Sequence, residues 1–391
     1  MVLMKKKVKN NEILYSKAHK DAVAASILST KEPGFLEAES DENTCDITQG
    51  KIKRCVELAT AEKAFDLKLE KGPYRPCYTR NGRHMTISTS GGYLSSFDVK
   101  SLKLHFEIEI NEQIFDSTFL HNELYIAATQ PTGLYIYDNT GAEIHCVREH
   151  KGACKMSFLP YHFLLTTLTP NGILRYHDTS IGKLVSKIHT NKFKTNALTQ
   201  NPVNAIIHVG DGKGMVTLWA PSCKEYLAII NCHNGKIHGM EIDRTGTYMV
   251  THGQDGKIKT WDIRKTYAPL RTLKASHRSI ALSQTGMLAV GKGRQVEIWK
   301  DLFQEEPYMR HYNTTGHVEN LVFCPHEDIL TLGHSNGISN IIVPGSGDPN
   351  FDAHEDTPFQ TKKQRREAEV KKLLEKIPYD MIGLESVIKI N

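Results

Sequence analysis

The sequence predicts an all-β protein, a seven-bladed β-propeller with helical N- and C-terminal extensions. Three observations lead there. A short strand-like phrase recurs seven times, the ends of successive copies lie 38 to 43 residues apart, and one complete unit resolves into four short strands. A period near 40 is what a ring of four-stranded blades requires.

The phrases are GYLSSFD (92–98), GLYIYD (133–138), GILRYHD (172–178), GMVTLWA (214–220), GKIKTWD (256–262), RQVEIWK (294–300) and GISNIIV (337–343). The fifth unit shows the remaining strands. His233 opens it, and the run 237–242 is the innermost strand. Asp243, Arg244, Thr245 and Gly246 make a turn into a second strand at 247–252. Gln254, Asp255 and Gly256 turn the chain again, with glycine where positive φ is needed, into a third strand at 258–262. The outer strand falls near 270–273.

His233, Thr251, Asp255 and Trp261 resemble the structural hydrogen-bond tetrad of WD40 blades. That resemblance implies an aspartate orienting the histidine, which reaches the hydroxyl, which reaches the indole N–H. A buried polar network is tolerated only when each member is satisfied. Trp219 and Trp299 keep the tryptophan, whereas Phe97, Tyr137, His177 and Ile342 replace it. Most blades are therefore expected to hold by packing alone.

The seventh unit, from His317 to about Val343, supplies only three strands before the PGSGDP turn at 344–349. The missing outer strand is assigned to FDLKL (65–69), which closes the ring and removes exposed edges. The propeller then spans 65–344, flanked by an N-terminal extension (1–64) and a C-terminal arm (345–391).

The N-terminal extension has a basic head with Lys5, Lys6, Lys7 and Lys9. Helices are expected over 11–30, stopped by Pro33-Gly34, and over about 51–64, with an acidic stretch at 37–46 between them. In the C-terminal arm, Thr361 and Gln364 fit a capping box opening a basic amphipathic helix at 361–377. Lys362, Lys363, Arg365 and Arg366 crowd its first turn, and Val370, Leu373, Leu374 and Ile377 repeat at helical spacing. Glu367 and Lys371 are spaced as an i,i+4 pair, and Pro378 ends the helix. Four cations at a helix N-terminus oppose the dipole unless an anion or acidic surface compensates, which hints at a phosphate backbone nearby.

Composition narrows the function classes. The chain has 391 residues, 39% hydrophobic and 24% charged, with a net charge of +5. Eight scattered cysteines contain no CxxC pair, and they read as small buried groups in a reducing compartment. There is no signal-peptide pattern and no apolar run long enough to cross a bilayer, so a soluble intracellular protein is expected. No P-loop, GxSxG, HExxH or kinase signature occurs, and HEDT (354–357) lacks the second helical histidine of a metal motif. Neither an enzyme nor a cofactor or metal site is expected. No sequence-reading RNA module is present, so any RNA contact rests on shape and charge.

Longer phrases carry a closer resemblance: GFLEAE (34–39), FDLKLEKGPYRPCYTRNGRHM (65–85), FLPYHFLL (158–165), LAVGKGRQVEIWKD (288–301) and the stretch 344–378. Together they resemble the family known as U3 small nucleolar RNA-associated protein seven, a WD40-repeat component of the small-subunit processome, with 344–378 resembling its conserved C-terminal domain. The resemblance covers nearly the whole chain in order, although both termini are short for the family. It implies a non-catalytic scaffold in ribosome biogenesis that supports pre-18S rRNA processing in the nucleolus of the nucleus. The implied partners are pre-ribosomal RNA and U3 RNA within a large ribonucleoprotein, the U3 snoRNP particle, and other processome proteins, including WD40 proteins. Neither a membrane nor a small-molecule substrate is implied.

For Lys5, Lys6, Lys7 and Lys9, RNA contact and a solvated face or nuclear localisation signal both remain open. Lys362, Lys363, Arg365 and Arg366 are candidates for RNA or acidic-protein contact through counterion release. The stripe Val370, Leu373, Leu374 and Ile377 fits either the chain's own propeller or a partner's groove. The alternative to an assembly factor is a generic WD40 adaptor such as a ubiquitin-ligase substrate receptor, with protein partners and no RNA dependence.

Overall fold

A computed structural model describes residues 31–38, 42–274, 279–304, 306–351 and 357–384, together with 14–18, 20, 21 and 25. Among these, twenty-eight strands form seven four-stranded antiparallel sheets, the blades of a propeller. In blade five the strands run Ile237–Ile242, Tyr248–Gly253, Lys257–Asp262 and Arg271–Lys274. Strand order within blades one to six is sequential, so neighbouring strands of a blade are joined directly, by tight turns or by loops such as 220–227 and 300–308.

Burial explains the residue pattern. The second and third strands of blade one, His84–Thr89 and Tyr93–Asp98, are buried throughout, because a neighbouring blade covers each sheet face. Its outer strand, Lys103–Glu109, meets solvent and carries three charged residues. Seams between blades combine apolar packing with a few polar ties. Tyr176 donates to the Trp219 carbonyl across blades three and four (3.3 Å), and Ser117 donates to Ser88 across blades two and one (2.8 Å).

Blade seven has the order outer, third, second, first, and its outer strand is Asp66–Lys68. Asp66 pairs with Ser339, Leu67 with Ile338 and Lys68 with Gly337. Backbone bonds Asn340 N–H to Phe65 O and Leu69 N–H to Asn336 O, both 2.9 Å, extend the pairing. Gly337 has φ +141°, and a Cβ there would stand 1.9 Å from Leu67 O. Only glycine lets the closing strand approach blade seven this closely.

Four expectations are corrected. The helix expected over 51–64 is two short helices, Gln49–Cys55 and Leu58–Glu62. Val56 breaks it with extended backbone (φ −95°, ψ 163°) and packs, with buried Ile52, on the core of blades six and seven. The C-terminal helix ends at Leu374 rather than 377. His317, expected as the structural histidine that opens the seventh unit as His233 opens the fifth, is exposed, and the buried histidine of blade seven is His334, 3.1 Å from Ser339 Oγ. Packing also does not act alone in the degenerate blades. His150 is bonded to Thr167 in blade three (2.7 Å), and Trp219 donates to Thr217 in blade four (2.9 Å). The helix expected over 11–30 lies largely outside the described residues.

No helix among the described residues is long and apolar enough to cross a membrane, and no cluster of three or more histidine, cysteine or acidic side chains there is arranged to hold a metal.

Candidate functional site

The tetrad residues come together inside blade five. His233 Nδ1 lies 3.0 Å from Asp255 Oδ1, and His233 Nε2 lies 2.9 Å from Thr251 Oγ1. Trp261 Nε1 donates to the same hydroxyl at 3.1 Å. Burial lowers the His233 pKa, with the Asp255 carboxylate pulling the other way. In the neutral tautomer that satisfies every bond, Nδ1–H donates to Asp255 and Nε2 accepts from Thr251. Gly253 abuts the His233 ring; a Cβ at Gly253 would fall 2.6 Å from it. With every polar atom engaged internally, this network has no free group for a substrate and serves to lock the blade.

The C-terminal arm is the more exposed feature. In each antiparallel blade the turns joining strands one to two and three to four lie at one end, so these turns form one face of the ring. The arm travels across that face. Thr285 of blade six donates to Gly345 O (2.9 Å), and Gly347 N–H donates to Asp328 of blade seven (2.9 Å). Asp348 pairs with Arg244 of blade five (2.9 Å), and Phe351 stacks on His326 with centroids 4.3 Å apart. Arg83 of blade one reaches Pro358 O, and Lys100 stands 3.2 Å over the Phe359 ring.

The helix Lys362–Leu374 follows, capped as expected. Gln364 N–H donates to Thr361 Oγ1 (3.3 Å), and Thr361 N–H donates to Gln364 Oε1 (2.9 Å). Its inner face is polar. Arg365 pairs with Glu123 of blade two, and Glu369 lies 3.2 Å from His121 Nε2. His121, Glu123, Phe163, Arg365, Ala368 and Lys372 enclose the contact. Beyond the helix, Lys376 bonds Asp178 and Ser180 of blade three. Ile377 N–H donates to Tyr161 O, and His162 Nδ1–H donates to Ile377 O, both at 3.0 Å. Ile382 is buried in the core cluster of blades three to five.

The predicted binding residues therefore divide. Lys362, Lys363 and Arg366 point to solvent, whereas Arg365 is spent on Glu123. Glu123 is also the acidic surface that this helix start needs. Val370, Leu373 and Leu374 are 58%, 44% and 82% exposed, because the helix lies on the propeller by its polar side. Ile377 leaves this stripe, its backbone held by blade three. Glu367 turns back to Lys363 (3.8 Å) while Lys371 reaches Glu375 (3.7 Å), in place of the expected Glu367–Lys371 pair. Lys5, Lys6, Lys7 and Lys9 lie outside the described residues, as do His354, Glu355 and Asp356 of HEDT. The anchors His121, Glu123 and Asp178 were not singled out from sequence: His121 and Glu123 lie in a turn with no periodic signal, and Asp178 ends a repeat phrase whose spacing marks a strand and not an anchor.

These features define a WD40-type propeller whose C-terminal arm is strapped across one face. Comparison with known proteins gives the family. The BING4CT (NUC141) domain model matches residues 307–385. That span takes in the outer strand of blade six, the three strands of blade seven and the arm, so the conserved unit includes propeller surface and is not a separate module. The chain is 41% identical over 393 residues to U3 small nucleolar RNA-associated protein 7 of Saccharomyces cerevisiae, covering 95% of this chain and 71% of that protein. It is 43% identical over 373 residues to WD repeat-containing protein 46 of Homo sapiens (93% and 61%) and 39% identical over 368 residues to that of Caenorhabditis elegans (92% and 63%). The chain belongs to this family of WD40-repeat proteins, typified by U3 small nucleolar RNA-associated protein 7. It spans about three fifths of the length of the human and mouse relatives.

Proposed function

We propose that this chain is a non-catalytic assembly factor of the small-subunit processome, supporting pre-18S rRNA processing and small ribosomal subunit biogenesis in the nucleolus. The observation that carries the reading is the exposed outer surface of the strapped helix. Lys362, Lys363 and Arg366 are exposed at one end, and Val370, Leu373 and Leu374 form an apolar stripe along it. A helix fixed to a rigid ring by its polar side, with its apolar side outward, suits docking into a partner's groove. The name of the yeast relative, which states association with U3 small nucleolar RNA, supplies the class of particle.

The mechanism is placement. The ring holds the helix at a defined angle, and the exposed cations neutralise phosphates of pre-ribosomal or U3 RNA without reading bases. Other processome proteins, WD40 proteins among them, take the apolar stripe. Pre-organisation lowers the ordering cost that a free helix would meet on binding.

The test is gradient sedimentation of tagged protein from a gentle lysate, with and without RNase, sequencing the RNA that travels with it. Migration in a large RNase-sensitive particle containing U3 RNA and pre-18S rRNA is expected. A small RNA-free species, unchanged by RNase, overturns the proposal in favour of a protein-only adaptor.

A further inference from the structure

The face opposite the strap is built from turns between second and third strands and from loops between blades. Among the described residues neither arm reaches it. Over blades three to five this face carries Lys192, Lys194, Lys213, Lys236 and Lys257 against two aspartates, Asp211 and Asp255, and against Glu149 in the loop that enters blade three. Both aspartates are turned inward. Asp211 accepts from Lys213 N–H (2.9 Å) and Met215 N–H (2.8 Å), and Asp255 is held by His233. Lys192 lies 3.7 Å from Asp211; among the described residues Lys194, Lys213, Lys236 and Lys257 make no ion pair. Their charge is therefore available to an incoming anion.

Within this field stands one aromatic ring. Phe193, between Lys192 and Lys194 in the loop joining blades three and four, is 73% exposed. It is the one large hydrophobic side chain exposed in the loops of this face among the described residues. The loop is firmly held. Thr190 Oγ1 donates to Gly172 O (2.8 Å), Thr195 Oγ1 donates to Thr169 O (2.7 Å), and Gly212 N–H donates to Phe193 O (3.1 Å). Lys194 adopts φ of +57°, a conformation disfavoured for a long side chain, while Asn191 at +54° is of a type that tolerates it. The surroundings thus spend backbone strain to keep an apolar ring in water between two cations.

We infer that the loop 190–196 and the lysines of blades three to five form a docking surface for single-stranded RNA, with Phe193 as a stacking platform. A protein partner would need an apolar interface core, and one ring in a field of lysines does not provide it. Unpaired nucleotides need what is present here: a π-face for a base, and dispersed cations along the backbone. The choice of RNA rests on the assembly role proposed above, while the surface is separate from the C-terminal helix and lies on the other side of the ring.

The experiment measures anisotropy of a short labelled oligouridylate with the full chain over a range of salt. Four variants are compared: Phe193→Ala, Phe193→Trp, Lys192→Ala/Lys194→Ala/Lys213→Ala, and Lys362→Ala/Lys363→Ala/Arg366→Ala. Phe193→Ala should weaken binding roughly tenfold, and Phe193→Trp should restore it. The triple lysine variant on this face should flatten the salt slope by about two. The surface is ruled out if the parent chain does not bind at low salt, if Phe193→Ala stays within about twofold of it, or if the loss is confined to the C-terminal variant. Equal competition by polyglutamate assigns the face to an acidic protein and overturns the inference as well. Sedimentation in the particle is scored separately, so failure here with retained sedimentation retires this surface alone, and the reverse outcome retires the assembly role alone.

Discussion

Arg365, in the first turn of the C-terminal helix, forms an ion pair with Glu123, 242 residues earlier in the turn of blade two. The pair converts a cation that opposes the helix dipole into the anchor that seats the helix. Arg365 is partly solvated, so the coupling is modest. A double-mutant cycle of Arg365→Ala and Glu123→Ala should give about 1 kcal/mol. Hydrogen exchange should show faster opening of 362–374 with blade protection unchanged; equal protection of the helix in all four proteins would remove the pair as an anchor.

The outward stripe separates folding from docking. Leu373→Asp with Leu374→Asp changes side chains that touch solvent, and stability should stay within about 0.5 kcal/mol of the parent. The same protein should leave the large particle in sedimentation. Normal sedimentation would show that the stripe is not a docking element.

Thr251 and Val290 are a matched pair of positions in neighbouring blades. Thr251→Val leaves Trp261 Nε1 and His233 Nε2 buried without partners and should cost about 2–4 kcal/mol in urea unfolding. In blade six, Val290 stands at the equivalent place, two residues beyond the partner of the blade tryptophan, and Trp299 Nε1 has no partner. Val290→Thr supplies that acceptor and should be neutral or stabilising, where a buried hydroxyl without a partner costs about 1–3 kcal/mol. A loss of that size would show that the new hydroxyl does not reach the indole.

Ring closure depends on Gly337. An added Cβ meets the Leu67 carbonyl, so Gly337→Ala should part the closing strand from blade seven and destabilise by roughly 3 kcal/mol. The freed edge should also promote aggregation on heating. A melting temperature equal to the parent's would place closure elsewhere.

Stability should fall on mild acidification. Burial depresses the pKa of His150 to about 3 and of His208 to about 4. Unfolded histidines titrate near 6.5, so below that value the unfolded chain binds protons that the folded chain refuses. Each group contributes stability that is full above about pH 6.5 and declines by roughly 1.4 kcal/mol per pH unit as pH falls toward the folded pKa. Urea midpoints between pH 7.5 and 5.5 test this, and His208→Gln should flatten the dependence. A midpoint that rises on acidification would reverse the sign.

The repeat was legible because blades one to six each satisfy their backbone within about 40 contiguous residues, and blade seven takes only its outer strand from 66–68. Gly256 and Asp255 fix a turn wherever they occur, and Thr361 with Gln364 caps a helix through bonds three residues apart. The seven blades, the tetrad of His233, Thr251, Asp255 and Trp261, and the helix start were therefore written in local spacing. The split at Val56 was not, because helical propensity continues through it and only contact with the core of blades six and seven turns the chain aside.

The sequence by itself determined the ring, its family and the presence of an amphipathic helix. The tertiary structure decided which side of that helix is spent. Apolar spacing marks Val370, Leu373 and Leu374 as a face needing cover, and it is silent on where cover comes from. Glu123, His121 and Asp178 are distant in sequence and converge only when blades two and three curl into the ring. Their charges engage Arg365, Glu369 and Lys376, so the helix settles polar side down. Long-range ion pairs leave no periodic trace in a chain, and for that reason the outward apolar stripe becomes visible only in the fold.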